Sequence, residues 1–178
     1  MKKIILIIAL ISSSCGMQAM RQVENYNKFS KACKNGDGHT IKQCVENLKL
    51  DVDTQFPNNN DATPLMLVAE NSADPQIINY LIKHGAEVNL VDKNGRTALH
   101  YLCSNNFLDE NEIGKTAAYL LVEKGDLTKT DNYGHVPAFY LGKDFTGQLR
   151  NFNFDKEKYR EAFFNSLPYA VAQQKAFN

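Results

Sequence analysis

A stretch of this chain repeats itself at a distance of 34 residues. Asp61-Ala62-Thr63-Pro64-Leu65-Met66-Leu67-Val68-Ala69 recurs as Gly95-Arg96-Thr97-Ala98-Leu99-His100-Tyr101-Leu102-Cys103. The segment Leu81-Ile82-Lys83-His84-Gly85-Ala86-Glu87-Val88-Asn89 is echoed by Leu121-Val122-Glu123-Lys124-Gly125-Asp126-Leu127-Thr128-Lys129. A fainter copy lies upstream, with Phe29, Ala32, Cys33, Gly36 and Ile41 at matching offsets and Leu50-Asp51-Val52-Asp53 at its end. A last half-copy begins at Asp131-Asn132-Tyr133-Gly134-His135-Val136-Pro137-Ala138-Phe139. Self-similarity at a period of this size restricts the chain to stacked units that bury a shared core.

The chemistry inside one period gives the unit its shape. Thr63 and Thr97 each precede an apolar run and can cap a helix N-terminus. Pro64 falls in the first turn, where the missing N–H costs nothing. Leu65, Val68 and Ala69 share one helical face, as do Leu99, Leu102 and Cys103. Ile77, Ile78, Leu81 and Ile82 give a second face, with Leu120 and Leu121 as its counterpart. Gly85 and Gly125 stand where those second helices end. Asn94-Gly95 and Tyr133-Gly134 are turn signals. Each unit is thus expected to be two short antiparallel helices and a projecting loop. One such pair cannot bury its own apolar face, so neighbours must stack.

These residues resemble the ankyrin repeat, whose pattern reads Asp-x-x-Gly-x-Thr-Pro-Leu-His, then Ala-Ala, an aliphatic run and Gly-Ala-Asp-Val-Asn. Asp92-Lys93-Asn94-Gly95-Arg96-Thr97-Ala98-Leu99-His100 is the nearest copy. Thr63-Pro64-Leu65 with Gly85-Ala86-Glu87-Val88-Asn89 follows it. The resemblance implies an all-α, ankyrin-type helical solenoid with hairpin-like loops and a C-terminal helical cap. Its three to four units occupy residues 22–142, the first and last degenerate. Met66 and Phe139 stand where the family has histidine. Extra residues around Asn106-Phe107-Leu108-Asp109-Glu110-Asn111 stretch the third unit and are expected to lengthen the connection between its helices. From Lys143 the pattern breaks, and residues 143–178 are read as the cap. There Asp155 to Leu167 forms one amphipathic helix, with Tyr159, Ala162, Phe163 and Leu167 on its inner face.

The first nineteen residues read as a signal peptide. Lys2 and Lys3 precede eight apolar residues, Ile4 to Ile11, and then small residues. A membrane span needs about 20 apolar residues, so this run is too short. The mature chain is expected to start between Cys15 and Met20, outside the cytoplasm: periplasmic, secreted or envelope-associated. Cys15 offers a second outcome, a lipid anchor, which would make the chain an envelope-attached structural protein. Ser12 stands where a bacterial lipobox usually has an aliphatic residue.

Charge and composition exclude several classes. The chain has 20 basic and 20 acidic residues, 43% hydrophobic and 22% charged. It is neutral, and loss of residues 1–19 leaves the acids ahead by two. No global basic field favours nucleic acid, and Lys31, Lys34 and Lys42 are interleaved with acids. His100 beside Cys103 could suggest a base and a nucleophile, but no orienting acid or oxyanion site accompanies them. The resemblance implies instead a hydrogen bond between Thr97 and His100. Cys33, His39 and Cys44 are too widely spaced for zinc and lack a fourth ligand. Cys33 and Cys44 lie on the two helices of one unit, and in an exported protein they could oxidise or stay reduced. No phosphate loop, zinc-protease helix or serine elbow is present. The chain is read as non-catalytic, without cofactor, metal or small-molecule substrate. An enzyme would first show as a deep polar pocket beside His135 or Tyr140.

The resemblance implies an unidentified protein as the partner, met by the loop tips and the adjacent helix surface. Carried onto this chain, the tips are Asn59, Asn60 and Ala62, then Lys93, Asn94 and Arg96, then Asn132, Tyr133 and His135. The helix-side positions are Glu70, Asn71, Ser104 and Asn105. Tyr133 is the expected anchor, since an exposed tyrosine offers large contact area at low entropy cost.

Overall fold

The computed structural model describes residues 14–105 and 125–140. Five α-helices appear there: α1 Ser14–Asn35, α2 Gly38–Glu46, α3 Pro64–Asn71, α4 Pro75–Lys83 and α5 Ala98–Cys103. Two 3-10 turns, Pro57–Asn59 and Pro137–Tyr140, complete them. The fold is all-helical. The sole bridge among the described residues joins Phe56 to Ala62.

Helices α1, α3, α5 and the Pro137–Tyr140 turn stack in that order as an inner layer. Helix α2 packs on α1 and α4 on α3, as an outer layer. This arrangement explains the burial pattern. The central inner helix α3 is covered from both sides, so Pro64 through Ala69 are all buried. The outer α4 buries one face only, through Ile77, Ile78 and Leu81. In α1 the buried side begins at Phe29 and continues with Ala32 and Cys33, while Met17, Met20 and Val23 are exposed. Phe29 meets Phe56 edge to face, 5.8 Å between centroids, which ties the first unit to the loop of the second.

Local chemistry starts each helix. Asp37 Oδ1 accepts from Thr40 N–H at 3.0 Å and Asp74 Oδ1 from Gln76 N–H at 2.8 Å. Thr63 caps α3, with Pro64 in its first turn. Met66 performs the family histidine's task with sulfur: Thr63 N–H donates to Sδ at 3.3 Å. Gly36 turns the chain between α1 and α2 at φ +64, and a Cβ there would meet Ser72 Cβ at 2.7 Å. Both the backbone angle and the close approach require glycine.

Two expectations change. The last half-copy is aligned with segments that open a helix, but its described part is a 3-10 turn; Val136 occupies the Thr97 position and has no hydroxyl to cap one. The closing turns also correct the third unit's register. Val52, Val88 and Leu127 occupy the same turn position and are all buried. Gly125 therefore aligns with Ala86, one residue from the Gly85 match expected, because burial of an aliphatic side chain fixes the turn. Gly85 itself has φ +98. The expected insertion at residues 106–111, the helix preceding Gly125 and the capping region 143–178 lie outside the described residues. So does the apolar run at Ile4 to Ile11. Cys15 lies in the first turn of α1.

Cys33 and Cys44 are both buried and both free thiols. Burial raises each above the ordinary thiol value. Among the described residues no helix is long and apolar enough to cross a membrane.

Candidate protein-binding surface

The loops between units are built around two buried aspartates. Asp92 Oδ1 accepts from the backbone N–H groups of Asn94 and Arg96, both at 2.8 Å. Asp131 Oδ1 accepts likewise from Tyr133 and His135, both at 2.9 Å. Each loop is closed by backbone bonds, Asp92 N–H to the Arg96 carbonyl and Asp131 N–H to the His135 carbonyl. The second carboxylate oxygen takes a tyrosine hydroxyl nine residues on: Tyr101 for Asp92 at 2.9 Å, and Tyr140 for Asp131. Burial alone would raise the Asp131 pKa, but the bonds from Tyr140, His135 and Tyr133 outweigh it and hold it below the ordinary value.

Successive loops are joined edge to edge. Lys93 N–H donates to the Asn60 carbonyl and Asn132 N–H to the Asn94 carbonyl, each at 2.9 Å. A parallel set joins the closing turns: Glu87 N–H donates to Asp53 Oδ1 and Asp126 N–H to Asn89 Oδ1, both at 2.9 Å. The tips therefore form one hydrogen-bonded row on the helical layer.

His100 ties this row to the core. Its Nδ1 accepts from Thr97 N–H at 3.0 Å, so Nε2 carries the proton and donates to the His135 carbonyl at 3.1 Å. The ring is buried, and burial lowers its pKa below the ordinary 6.5. Cys103, also buried, has its thiol pushed up to about 12 by burial. At neutral pH that sulfur is a thiol, and His100 is occupied by backbone on both nitrogens. The pair is built for packing, with neither group presented to solvent.

The expected site residues divide into two groups. Asn60, Asn71, Lys93, Asn132 and Tyr133 are exposed, and Tyr133 is 65% exposed. Asn59, Glu70, Asn94, Arg96 and Ser104 are half-buried. Ala62, Asn105 and His135 are buried, which corrects their placement on the surface. Ala62 is in the bridge to Phe56. Asn105 Nδ2 donates to the Ala69 carbonyl at 3.1 Å, joining α5 to α3. The His135 ring lies flat on Phe139, 3.7 Å between centroids. Arg96 is a structural strut: its guanidinium covers the Tyr140 ring at 4.6 Å and donates to the Tyr140 hydroxyl at 3.1 Å. Its Nε lies 3.8 Å from Asp131 Oδ2. Asn59 turns inward, with Nδ2 donating to Ser30 Oγ at 2.8 Å. Sequence reasoning missed Asp92, Asp131 and their tyrosines; the signal was the shared nine-residue spacing of Asp92–Tyr101 and Asp131–Tyr140.

The family model for ankyrin repeats in three copies matches residues 29–132. The chain belongs to the ankyrin repeat family. Ankyrin repeats generally mediate protein–protein interactions. The chain is 38% identical over 118 residues to the phosphocholine transferase AnkX of Legionella pneumophila, across 65% of this chain and 12% of that protein. It is 40% identical over 95 residues to the mouse ankyrin repeat domain-containing protein 63, across 51% of this chain and 22% of that protein. It is 25% identical over 117 residues to the mouse protein phosphatase 1 regulatory subunit 27, across 66% of this chain and 70% of that protein. The chain thus spans less than a quarter of each of the first two relatives.

Proposed function

We propose that this ankyrin protein is a non-catalytic binding module, exported from the cytoplasm, that holds a protein partner on its row of loop tips. The observation that carries the reading is the hydrogen-bonded row itself. It presents Asn60, Lys93, Asn132 and Tyr133 outward while Asp92, Asp131 and His100 fix the loops from below. Such an array positions side chains for recognition at no cost to the core. Glu70, Asn71 and Ser104 extend the surface along the inner helices. Tyr133 serves as the anchor, at the last tip of the described row. The phosphocholine transferase is an enzyme by name, and its likeness covers 12% of it; the present reading takes only the binding role of the shared repeats.

Export fits the burial pattern of α1. The first fully buried side chain of α1 is Phe29, and residues 17–24 are exposed, so a cut before Met20 spares every buried residue among those described. Mass spectrometry of the protein from its source cell reads the mature N-terminus. A start between Cys15 and Met20 supports export, a diacylglyceryl mass on Cys15 converts the reading to a lipid anchor, and an intact Met1 overturns both. For binding, a pulldown with the mature chain and with a Lys93→Ala/Tyr133→Ala variant decides. A partner retained by the first and lost by the second supports the tip row, and equal retention overturns it.

A further inference from the structure

The outer layer holds a pocket that shares no residue with the row of tips. It lies between the start of α2 and the first turns of α4, with a volume of about 260 Å³. That is just under the range of about 300–1,000 Å³ for drug-sized ligands and suits a single side chain with its backbone groups. The two helices meet closely around it. A Cβ on Gly38 would touch Ile77 Cγ1 at 3.3 Å. Further along, Lys42 Nζ lies 5.6 Å from the centroid of the Tyr80 ring, and the Tyr80 hydroxyl donates to Glu46 Oε1 at 3.0 Å.

The lining divides by chemistry. Ile41 and Ile77 are buried and apolar, and Tyr80 adds a half-buried ring. His39, Lys42 and Gln76 are exposed donors on the rim. Lys42 has the Tyr80 ring as its neighbour and makes no ion pair with a carboxylate among the described residues. His39 Nε2 accepts from Gln43 Nε2 at 2.9 Å, which places the ring proton on Nδ1. One acid stands against these donors. Asp74 caps α4 with Oδ1, which accepts from Gln76 N–H at 2.8 Å, and its Oδ2 is a further acceptor. The pocket thus suits a ligand that joins an apolar group, an anion and an N–H donor.

We propose that this pocket binds the C-terminal residue of a peptide when that residue is aliphatic. The side chain covers Ile41 and Ile77, the α-carboxylate pairs with Lys42, and the backbone N–H donates to Asp74. An internal aliphatic residue brings no anion to Lys42, and an internal glutamate brings no branched apolar end to the two isoleucines. A free amino acid carries the same groups, but its amine offers three donors where a peptide's single N–H matches the one further oxygen of Asp74. The site is separate from the tip row and goes beyond the binding reading above.

Four probes separate these groups: acetylated Gly-Ser-Leu with a free C-terminus, the same peptide amidated, acetylated Gly-Ser-Gly with a free C-terminus, and free leucine. Each is titrated into the full chain to millimolar concentration and followed through the amide signals of Gly38, Lys42 and Ile77. The free-ended leucine peptide should bind at least about tenfold more tightly than its amide, the value of one charge-assisted hydrogen bond. It should exceed the glycine-ended peptide by at least about tenfold, the value of burying the leucine side chain. Lys42→Met should remove the advantage of the free acid, and Lys42→Arg should restore it. Lys42 is exposed, so both variants should melt with the wild type. Lys93→Ala/Tyr133→Ala should titrate like the wild type, which keeps this site distinct from the tips. No shift with any probe, equal binding of acid and amide, free leucine matching the peptide, or an unaltered preference in Lys42→Met overturns the proposal. If the peptides fail while the pulldown partner is still lost with Lys93→Ala/Tyr133→Ala, the tip reading stands and the pocket assignment falls.

Discussion

The Tyr101 hydroxyl donates to Asp92 Oδ2 at 2.9 Å, and both groups are buried. The bond completes a carboxylate whose other oxygen already holds two loop amides. Tyr101→Phe leaves that oxygen without its donor and should cost about 1–2 kcal/mol. Urea unfolding should show a lower midpoint with an unchanged slope. An unshifted midpoint would mean that the loop does not depend on this bond.

Gly95 and Gly134 separate backbone strain from steric contact. Both have positive φ, so alanine at either costs about 1–2 kcal/mol in strain. At Gly95 the new Cβ would also meet Asn132 N at 3.0 Å and Oδ1 at 2.6 Å, and at Gly134 it would meet nothing. Gly95→Ala should therefore be the more destabilising by at least about 1 kcal/mol. Equal losses in thermal melts would show that the tips are not in contact.

Lys93 and Arg96 lie three residues apart in one loop and should behave oppositely. Lys93 is exposed, and its ion pair with Asp61 is a surface one. Lys93→Ala should change stability by no more than about 0.5 kcal/mol, while lowering partner affinity. Arg96→Ala removes the cover over Tyr140 and a hydrogen bond, and should cost about 1–2 kcal/mol. Calorimetric melts of the two variants check this. A destabilised Lys93→Ala beside an unaffected Arg96→Ala would reverse the assignment.

Acid should weaken the fold through His100. Burial lowers its pKa below 6.5, partly offset by the His135 carbonyl and the charge of Asp131. The unfolded chain takes up a proton near 6.5 and the folded chain at lower pH. Stability is thus complete above 6.5 and is lost as pH falls from there toward the folded pKa, at up to about 1.4 kcal/mol per pH unit. Met66 performs the same task in the preceding unit without a titrating ring. His100→Met should therefore lose less stability than the wild type between about pH 7.5 and about pH 5.5. Parallel slopes in urea titrations would exclude His100 as the source. The Asp131 contribution, from a carboxylate held low, is lost only as pH falls below 3.8, outside this window.

The repeat architecture was legible because its signals are local. Thr63 and Thr97 mark helix starts, Gly85 marks an end, and Asn94-Gly95 marks a turn, all within a few residues of the feature each specifies. The site was less legible because exposure is a tertiary property. His135 and Arg96 sit in a loop at positions that read as tips, yet Phe139 and Tyr140, four and 44 residues away, draw them inward. Asn105 looks like a polar surface residue until the Ala69 carbonyl, 36 residues earlier, takes its amide. The same distance effect misled the Gly125 alignment, where glycine identity competed with burial of Leu127.

The tips are linked by single backbone hydrogen bonds, whereas the helices beneath share a continuous core. Such a sheet of turns is stiff along each loop and compliant between loops, like the ribs of a fan. Spreading the Lys93–Asn94 and Asn132 tips breaks two bonds of about 1 kcal/mol each, Asn132 N–H to the Asn94 carbonyl and Asn132 Nδ2 to the Lys93 carbonyl, and leaves the ribs unchanged. The curvature of the face can therefore follow the contour of what lands on it, at a strain shared out rib by rib.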